Sequence, residues 1–313
     1  MIRVAVIGTG VMGTNHARVI KTLPGTELVG LFDEDYDKCV TQASKFSTRA
    51  LRSIEESIEC ADAVIIATPT PTHINLMRRC VDSKRHFLVE KPVCITEAEF
   101  KTLPQLPKDI IAMVGHIERF NPAVRYARTM DLGQVISISA RREGPYSPRI
   151  LEGVTRDLMI HDIDLCAYLT GERFSVVGAG CKTALSNSED VSAAILKGES
   201  GLIASLLASR IGQTKIRDIR LTTNEYLLHL DLLQRIVLIY RQSSASFTES
   251  STPLYTESLT TQMPILNGFG EPLAAELECF IKSIEMGHLH SDAASLLDAV
   301  DALSIANTVA VFQ

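Results

Sequence analysis

Three short strings carry the residues whose types and spacing could do chemistry. Gly8-Thr9-Gly10-Val11-Met12-Gly13 has the pattern G-x-G-x-x-G and follows the apolar run Ile2–Ile7. A strand leading through such a string into a helix is the setting in which it binds a dinucleotide. Gly8 allows the tight turn, Gly10 lets the backbone approach a pyrophosphate, and Gly13 permits close packing of helix on strand. The helix N-terminus turns unpaired N–H groups and partial positive charge toward the anion. Asp33 ends the next β-rich run, twenty residues after Gly13. A carboxylate there accepts hydrogen bonds from an adenosine ribose and repels a 2′-phosphate. No Arg follows in Glu34-Asp35-Tyr36-Asp37, so NAD is expected rather than NADP. In the second string, Asp157, His161 and Asp164 recur at i, i+4 and i+7, one face of a helix. Imidazole titrates where it can take the proton of an alcohol under oxidation, and a carboxylate one turn away can orient the ring. The third string, Glu90-Lys91-Pro92, follows the strand Phe87–Val89, at the carboxyl end where open α/β sheets bind ligands. The same Asp and His side chains could hold a metal or serve helix packing. Transfer of a hydride to NAD calls for no metal, and none is expected.

These strings need elements to hold them. Strand and helix signals alternate over the first ~115 residues: Ile2–Ile7, helix Asn15–Leu23 stopped by Pro24-Gly25, Glu27–Phe32, helix Tyr36–Phe46, a short helix Ser53–Ile58, Ala63–Ala67, helix Thr72–Ser83, His86–Val89 and Ile110–Val114. Alternation of this kind predicts βαβ units and a doubly wound parallel sheet, an α/β Rossmann domain. Beyond about residue 120 a helix Pro122–Met130 precedes a strand Gln134–Arg142, a Gly/Pro-punctuated loop Gly144–Gly153 and a helix Asp157–Leu169. Six strand-like runs between Ser175 and Tyr240 then predict an α+β domain with an open-faced, mostly antiparallel sheet. Ser243–Thr256 is Ser/Thr-rich and reads as a mobile loop, and Pro272–Met286 and Ala293–Phe312 as closing helices. The expected division is 1–118 for the nucleotide domain and 119–313 for the substrate and oligomerisation domain, with the C-terminal helix able to pack back on the first.

Composition narrows the classes. The chain has 313 residues, 46% of them hydrophobic, and a net charge of -6. That balance supports a buried core, and without a basic stripe it argues against nucleic-acid binding. No apolar run approaches the ~18 residues a membrane helix needs. The N-terminus runs directly into a strand pattern without a secretory signal, so a cytoplasmic protein is expected. The seven cysteines are scattered and contain no C-x-x-C pair, which fits small buried hydrophobes better than a disulfide or zinc framework.

Taken together, the fingerprint at Gly8–Gly13, Thr68-Pro69-Thr70-Pro71-Thr72-His73 after the third clear strand, Glu90-Lys91-Pro92, and Glu271-Pro272-Leu273 at the start of a closing helix resemble the Gfo/Idh/MocA oxidoreductases over essentially the whole chain. The resemblance implies that Lys91 is the active-site lysine, with the bond before Pro92 cis, and that its ammonium stabilises the alkoxide as hydride leaves. It matches Asp157 and His161 to the family's Asp-x-x-x-His pair, His161 as general base and Asp157 as its partner or a substrate ligand. It implies cofactor contacts at Gly8, Thr9, Gly10, Val11, Met12, Gly13, Asp33, Thr68, Pro69, His73, Glu90 and Lys91. Gly115-His116-Ile117-Glu118-Arg119-Phe120-Asn121-Pro122 is similar to a family string lining the cleft, with Arg119 and Asn121 as substrate ligands or hinge-stabilising residues.

The loop Arg141–Ile150 resembles most the branch that oxidises UDP-N-acetylglucosamine at C3. Arg142, Tyr146 and Arg149 there suit a diphosphate and a uracil ring. The implied product feeds 3-amino-sugar synthesis for lipid A or surface polysaccharide. The implied assembly is a homodimer or homotetramer through the open sheet. An inositol or free-sugar dehydrogenase is the alternative within the family, and a non-catalytic NAD-binding regulator the alternative outside enzymes.

Overall fold

Hydrophobic runs that are apolar on both faces need cover on both faces, and the first unit provides it. The computed structural model describes residues 1–146, 152–248 and 254–312. It divides into one unit of Met1–Phe120 with Gly270–Ser304 and a second of Asn121–Phe269 with the residues from Ile305 onward. In the first, β1 (Ile2–Ile7), α1 (Val11–Thr22), β2 (Thr26–Phe32), α2 (Tyr36–Lys45), β3 (Arg49–Ala50), α3 (Ile54–Glu59), β4 (Ala63–Ile66), α4 (His73–Asp82), β5 (His86–Glu90), α5 (Glu97–Phe100) and β6 (Ala112–Gly115) follow in turn. The sheet order is β3-β2-β1-β4-β5-β6 and every pairing is parallel. β4 is buried at every position, the mark of a strand covered on both faces.

Local reading and fold differ where local signals are weak. α1 starts at Val11, four residues before the reading from periodicity, because the fingerprint itself supplies the helix's first turn with Gly10 as its N-cap. The two-residue β3 and the one-turn α5 carry too few residues to show a period.

The second unit opens with α6 (Pro122–Thr129), whose N-cap Asn121 accepts from the Ala123 amide. β7 (Val135–Glu143), α7 (Ile160–Thr170), β8 (Phe174–Lys182), β9 (Val191–Gly198), β10 (Ile203–Ser209), β11 (Ile216–Thr223), β12 (Leu227–Asp231), β13 (Ile236–Thr248) and β14 (Leu254–Gln262) follow. Their sheet runs β14-β13-β12-β11-β7-β10-β9-β8, antiparallel throughout except for the parallel pair β7–β10. Alternation is clean along β9, where Ser192, Ala194 and Leu196 are buried while Ala193, Ile195 and Lys197 are exposed. The expectation of a loop over Ser243–Thr256 is corrected: β13 and β14 pair from Ile239↔Gln262 to Thr248↔Leu254. Loop composition is only a correlation, and Thr is a good strand former once a neighbouring strand offers a ladder.

In the first unit the chain closes with α8 (Pro272–Met286) and the start of α9 (Leu296–Ala310). α8 has Pro at its first position and ends at Gly287 with φ 72°, a left-handed conformation glycine tolerates. Its Leu277, Phe280 and Ile281 share one buried cluster with Ala17 and Ile20 of α1 and with Val4 and Val6 of β1.

Candidate active site

In the first unit a cavity of about 670 Å³ opens along the carboxyl ends of the parallel strands. Gly8, Gly10, Val11, Met12, Asp33, Thr68, Pro69, Glu90 and Lys91 all line it. The glycine requirements are steric. Gly8 has φ +96°, and a Cβ there would lie 2.4 Å from the Ala67 carbonyl oxygen. A Cβ on Gly13 would lie 1.8 Å from the Gly8 carbonyl oxygen, so the helix can approach the strand only without one. Nothing lies within 4 Å of a Cβ built on Gly10, leaving the backbone open on that side. No side chain caps α1, so its first-turn N–H groups are offered to an anion.

Asp33 stands at the far end of this cavity. Its Oδ2 accepts from the Thr9 amide at 2.7 Å, the Thr9 hydroxyl at 2.7 Å and the Lys38 ammonium at 2.9 Å, and its Oδ1 from the Asp35 amide at 3.1 Å. Burial by itself raises the carboxyl pKa, but these bonds outweigh it and bring it down to about 2. Thr9 therefore reaches the site by anchoring Asp33 from a nearly inaccessible position. Lys38 was not singled out from sequence; the usable signal was Asp35, the N-cap of α2, which puts Lys38 in the first helical turn facing Asp33.

His73 is placed differently from the cofactor contact expected of it. It is buried, with Nδ1 2.9 Å from the Pro92 carbonyl and Nε2 2.9 Å from the Thr68 carbonyl. It thus ties the Thr68–Thr72 turn to the segment after Lys91, and the Lys91–Pro92 bond is cis. Glu90 Oε1 accepts from His16 Nε2 at 2.6 Å. Arg119 is buried and donates to the Ala293 carbonyl at 3.1 Å and toward Asp298 at 3.4 Å, both within the first unit.

In the second unit the Asp157–His161 string is not one regular α-helix. Thr155–Met159 forms a π-helical turn and α7 begins only at Ile160. Asp157 therefore lies in the π turn and His161 in the first turn of α7. Asp157 and His161 are half-buried, whereas Asp164 is buried with only 2% exposure. π turns inside helices recur at functional sites. Arg142, expected among the substrate ligands, is also buried. Its Nε and Nη2 donate to Asp162 at 3.1 and 2.7 Å, tying β7 to α7 next to His161. Asn121 spends its amide on the Leu232 carbonyl at 2.9 Å and its oxygen on the cap of α6. Arg141 and Tyr146 are exposed, Arg141 paired with Glu143. Arg149 lies outside the described residues.

Comparison with known proteins decides the family. Residues 2–115 match the model of an oxidoreductase family's NAD-binding Rossmann fold, and residues 123–224 match the GFO/IDH/MocA C-terminal domain. The chain belongs to the Gfo/Idh/MocA oxidoreductases. It is 30% identical to the UDP-N-acetylglucosamine 3-dehydrogenase of Acidithiobacillus ferrooxidans over 285 residues, 90% of this chain and 88% of that protein. A solved structure of that enzyme aligns at TM-score 0.87 and 28% identity, covering 99% of this chain and 96% of the other. The inositol 2-dehydrogenase of Rhizobium meliloti is 26% identical over 308 residues, 91% of this chain and 89% of that protein.

As a member of this family the chain is an NAD-dependent dehydrogenase. The residues present fit the cofactor: a backbone open at Gly10, an uncapped helix N-terminus for the pyrophosphate and a carboxylate at Asp33 for the ribose. Among the described residues no cluster of three metal-ligating side chains occurs, and no helix is long and apolar enough to cross a membrane.

Proposed function

We propose that this dehydrogenase oxidises a hydroxyl of a sugar nucleotide, C3 of UDP-N-acetylglucosamine, to the ketone. The observation that carries this reading is the 30% identity to a UDP-N-acetylglucosamine 3-dehydrogenase along 90% of the chain. NAD, when bound, supplies the acceptor for the hydride from the carbinol carbon. His161 takes the hydroxyl proton and Asp157 orients it. Lys91, on the wall of the nucleotide cavity, holds the developing oxyanion, the place where charge accumulates and where a fixed cation lowers the barrier. Arg142 acts on the reaction through Asp162, keeping the first turn of α7 against β7. Arg141, Tyr146 and Arg149 are the side chains of the loop assigned to the uracil and diphosphate. The 3-keto product is the substrate class of an aminotransferase, which places the reaction before 3-amino-sugar formation for lipid A or surface polysaccharide. The open face of the second sheet, with exposed Ile136, Ile195 and Ile203, is assigned to a second copy of the chain in a homodimer or homotetramer.

The likeness to inositol 2-dehydrogenase over 91% of the chain supports a second reading, oxidation of a cyclic polyol. Incubating the protein with NAD and a panel of UDP-sugars, inositols and free sugars, while following NADH absorbance, separates the two. Turnover of UDP-N-acetylglucosamine with competition by UDP supports the first reading. Turnover of inositol without UDP competition replaces it with the second.

A further inference from the structure

The π turn that carries Asp157 leads straight to His161, and a loop of the same unit is built against its entrance. That loop is the 183–190 connection between β8 and β9. It is held from inside by a buried pair. Asp190 is buried, and its Oδ2 accepts from the amides of Ala184, Leu185 and Ser186 at 2.7, 2.6 and 3.2 Å. Its Oδ1 accepts from the Ser186 hydroxyl at 2.9 Å and from Nε of the buried Arg210 at 2.7 Å. Arg210 donates from Nη2 to the hydroxyls of Ser186 and Ser188, and from Nη1 to the Glu152 carbonyl at 2.7 Å. Charge-assisted bonds in this number fix the loop in one arrangement.

The frame presents Glu189 to the backbone that enters the π turn. The Glu189 carbonyl accepts from the Val154 amide at 3.0 Å, and Glu189 Oε1 accepts from the Thr155 amide at 3.3 Å. The carboxylate lies over Gly153, where a Cβ would come within 2.0 Å of Glu189 Cδ. Glycine is the residue that allows so close an approach to the backbone. The Gly153 carbonyl in turn accepts from the Asp157 amide at 3.1 Å. A continuous path from Glu189 through Gly153 to Asp157 thus joins the loop to the turn before His161. Within the turn itself, Arg156 Nε donates to Asn307 Oδ1 at 2.7 Å, a second tie from outside the helix.

We propose that Glu189 is a positioning residue for the dehydrogenase reaction. It fixes the entrance of the π turn and so sets where Asp157 and His161 stand toward the hydroxyl being oxidised. Asp190 and Arg210 hold Glu189 in place. The inference rests on the reading of Asp157 and His161 as the acid–base pair and is independent of which alcohol is oxidised.

The test compares Glu189→Ala and Glu189→Gln with the wild type in steady-state oxidation of UDP-N-acetylglucosamine and of inositol, with NADH titration and thermal unfolding alongside. Ala removes the side-chain acceptor of the Thr155 amide. It lowers kcat by about ten- to a hundredfold, the scale of a misplaced catalytic group, while KM and NADH affinity stay near the wild-type values. Gln keeps an oxygen acceptor for that amide and restores most of kcat. A merely structural role would lower Tm and leave the kcat of the folded protein unchanged. Hydrogen exchange over 153–161 gives a readout without turnover, and decides if neither substrate is oxidised: Ala speeds exchange there and Gln restores protection. Should Glu189→Ala not fold, Gly153→Ala, whose Cβ displaces the Glu189 carboxylate, is read by the same assays. The proposal is overturned if Ala keeps the wild-type kcat, if Gln is no better than Ala, or if exchange over 153–161 is the same in all three proteins. Full turnover by His161→Ala overturns the acid–base reading itself. Loss of turnover in His161→Ala with normal turnover in Glu189→Ala overturns the role of Glu189 alone.

Discussion

Replacing Asp33 by Ala removes an acceptor of four hydrogen bonds and changes the charge seen by the adenosine ribose. Three consequences can be scaled. The Thr9 amide, on a residue only 2% exposed, loses its partner, which costs about 1–3 kcal/mol of fold stability if nothing replaces it. The ribose loses a charge-assisted bond worth about 1.5–3 kcal/mol, so the Kd for NADH should rise about ten- to a hundredfold. Lys38, whose side chain is 42% exposed, is released from its pair with Asp33. An ammonium in that setting contributes only about 0.2–1 kcal/mol toward a 2′-phosphate, so the gain in NADPH affinity from Lys38 is at most about fivefold. Removing the repulsion by Asp33 adds to it. The ratio of NADPH to NADH dissociation constants should therefore fall sharply, chiefly through the loss of NADH. Fluorescence titration with both cofactors, alongside thermal unfolding to separate binding from folding, measures each quantity. In the Asp33→Ala background, Lys38→Ala should remove the part of the NADPH gain that Lys38 supplies, at most about fivefold, and leave NADH unchanged. An unchanged cofactor ratio in Asp33→Ala would refute the reasoning, as would NADH binding equal to the wild type.

The other predictions concern chemistry and folding. Lys91→Ala and His161→Ala should each lower kcat by about 10²–10⁴-fold while NADH affinity stays near the wild-type value; near-normal turnover in either would remove that residue from the mechanism. Arg142→Ala removes the guanidinium paired with the buried Asp162 carboxylate and should destabilise the protein by about 3–5 kcal/mol, read as a lowered urea midpoint; a change below about 1 kcal/mol would show that the pair is not a structural tie. Gly13→Ala drives a Cβ into the Gly8 carbonyl and should reduce both NADH binding and Tm, with unchanged NADH binding refuting the close approach. The carboxyl of Asp33, lowered to about 2, favours the folded state above its unfolded pKa near 4, and this contribution is lost as pH falls toward 2; Asp33→Asn should flatten that part of the acid unfolding profile.

The nucleotide half of the site was legible because its determinants are local. Turn geometry at Gly8, the close packing at Gly13 and the strand end at Asp33 are set within a few residues of each position, and glycine spacing reports them directly. Glu90-Lys91-Pro92 was legible for the same reason, as the last residue of β5 and the bend after it. The sheet class followed from alternating strands and helices, although not the strand order or the parallel β7–β10 pair inside an otherwise antiparallel sheet.

What the chain could not show by itself is how its polar groups are partnered. Arg142 looked like a phosphate ligand because an arginine on a Gly/Pro-rich loop usually faces solvent; β7 extends through Glu143, and its inward alternation turns Arg142 onto Asp162. His73 and Asn121 are likewise taken up by backbone carbonyls that only the folded chain brings near. Periodicity assumed a regular helix through Asp157 and His161, and the π turn at Thr155–Met159 breaks that step. Glu276 was not singled out, since Pro272–Met286 read only as a closing helix. Its burial exists because α8 returns to cover α1, bringing it under the influence of Glu90 from a distant part of the sequence. Local residue types determine which turns, strands and helices can form. Which acid meets which base is decided by non-local packing, since a buried charge takes its partner from whatever element is laid against it.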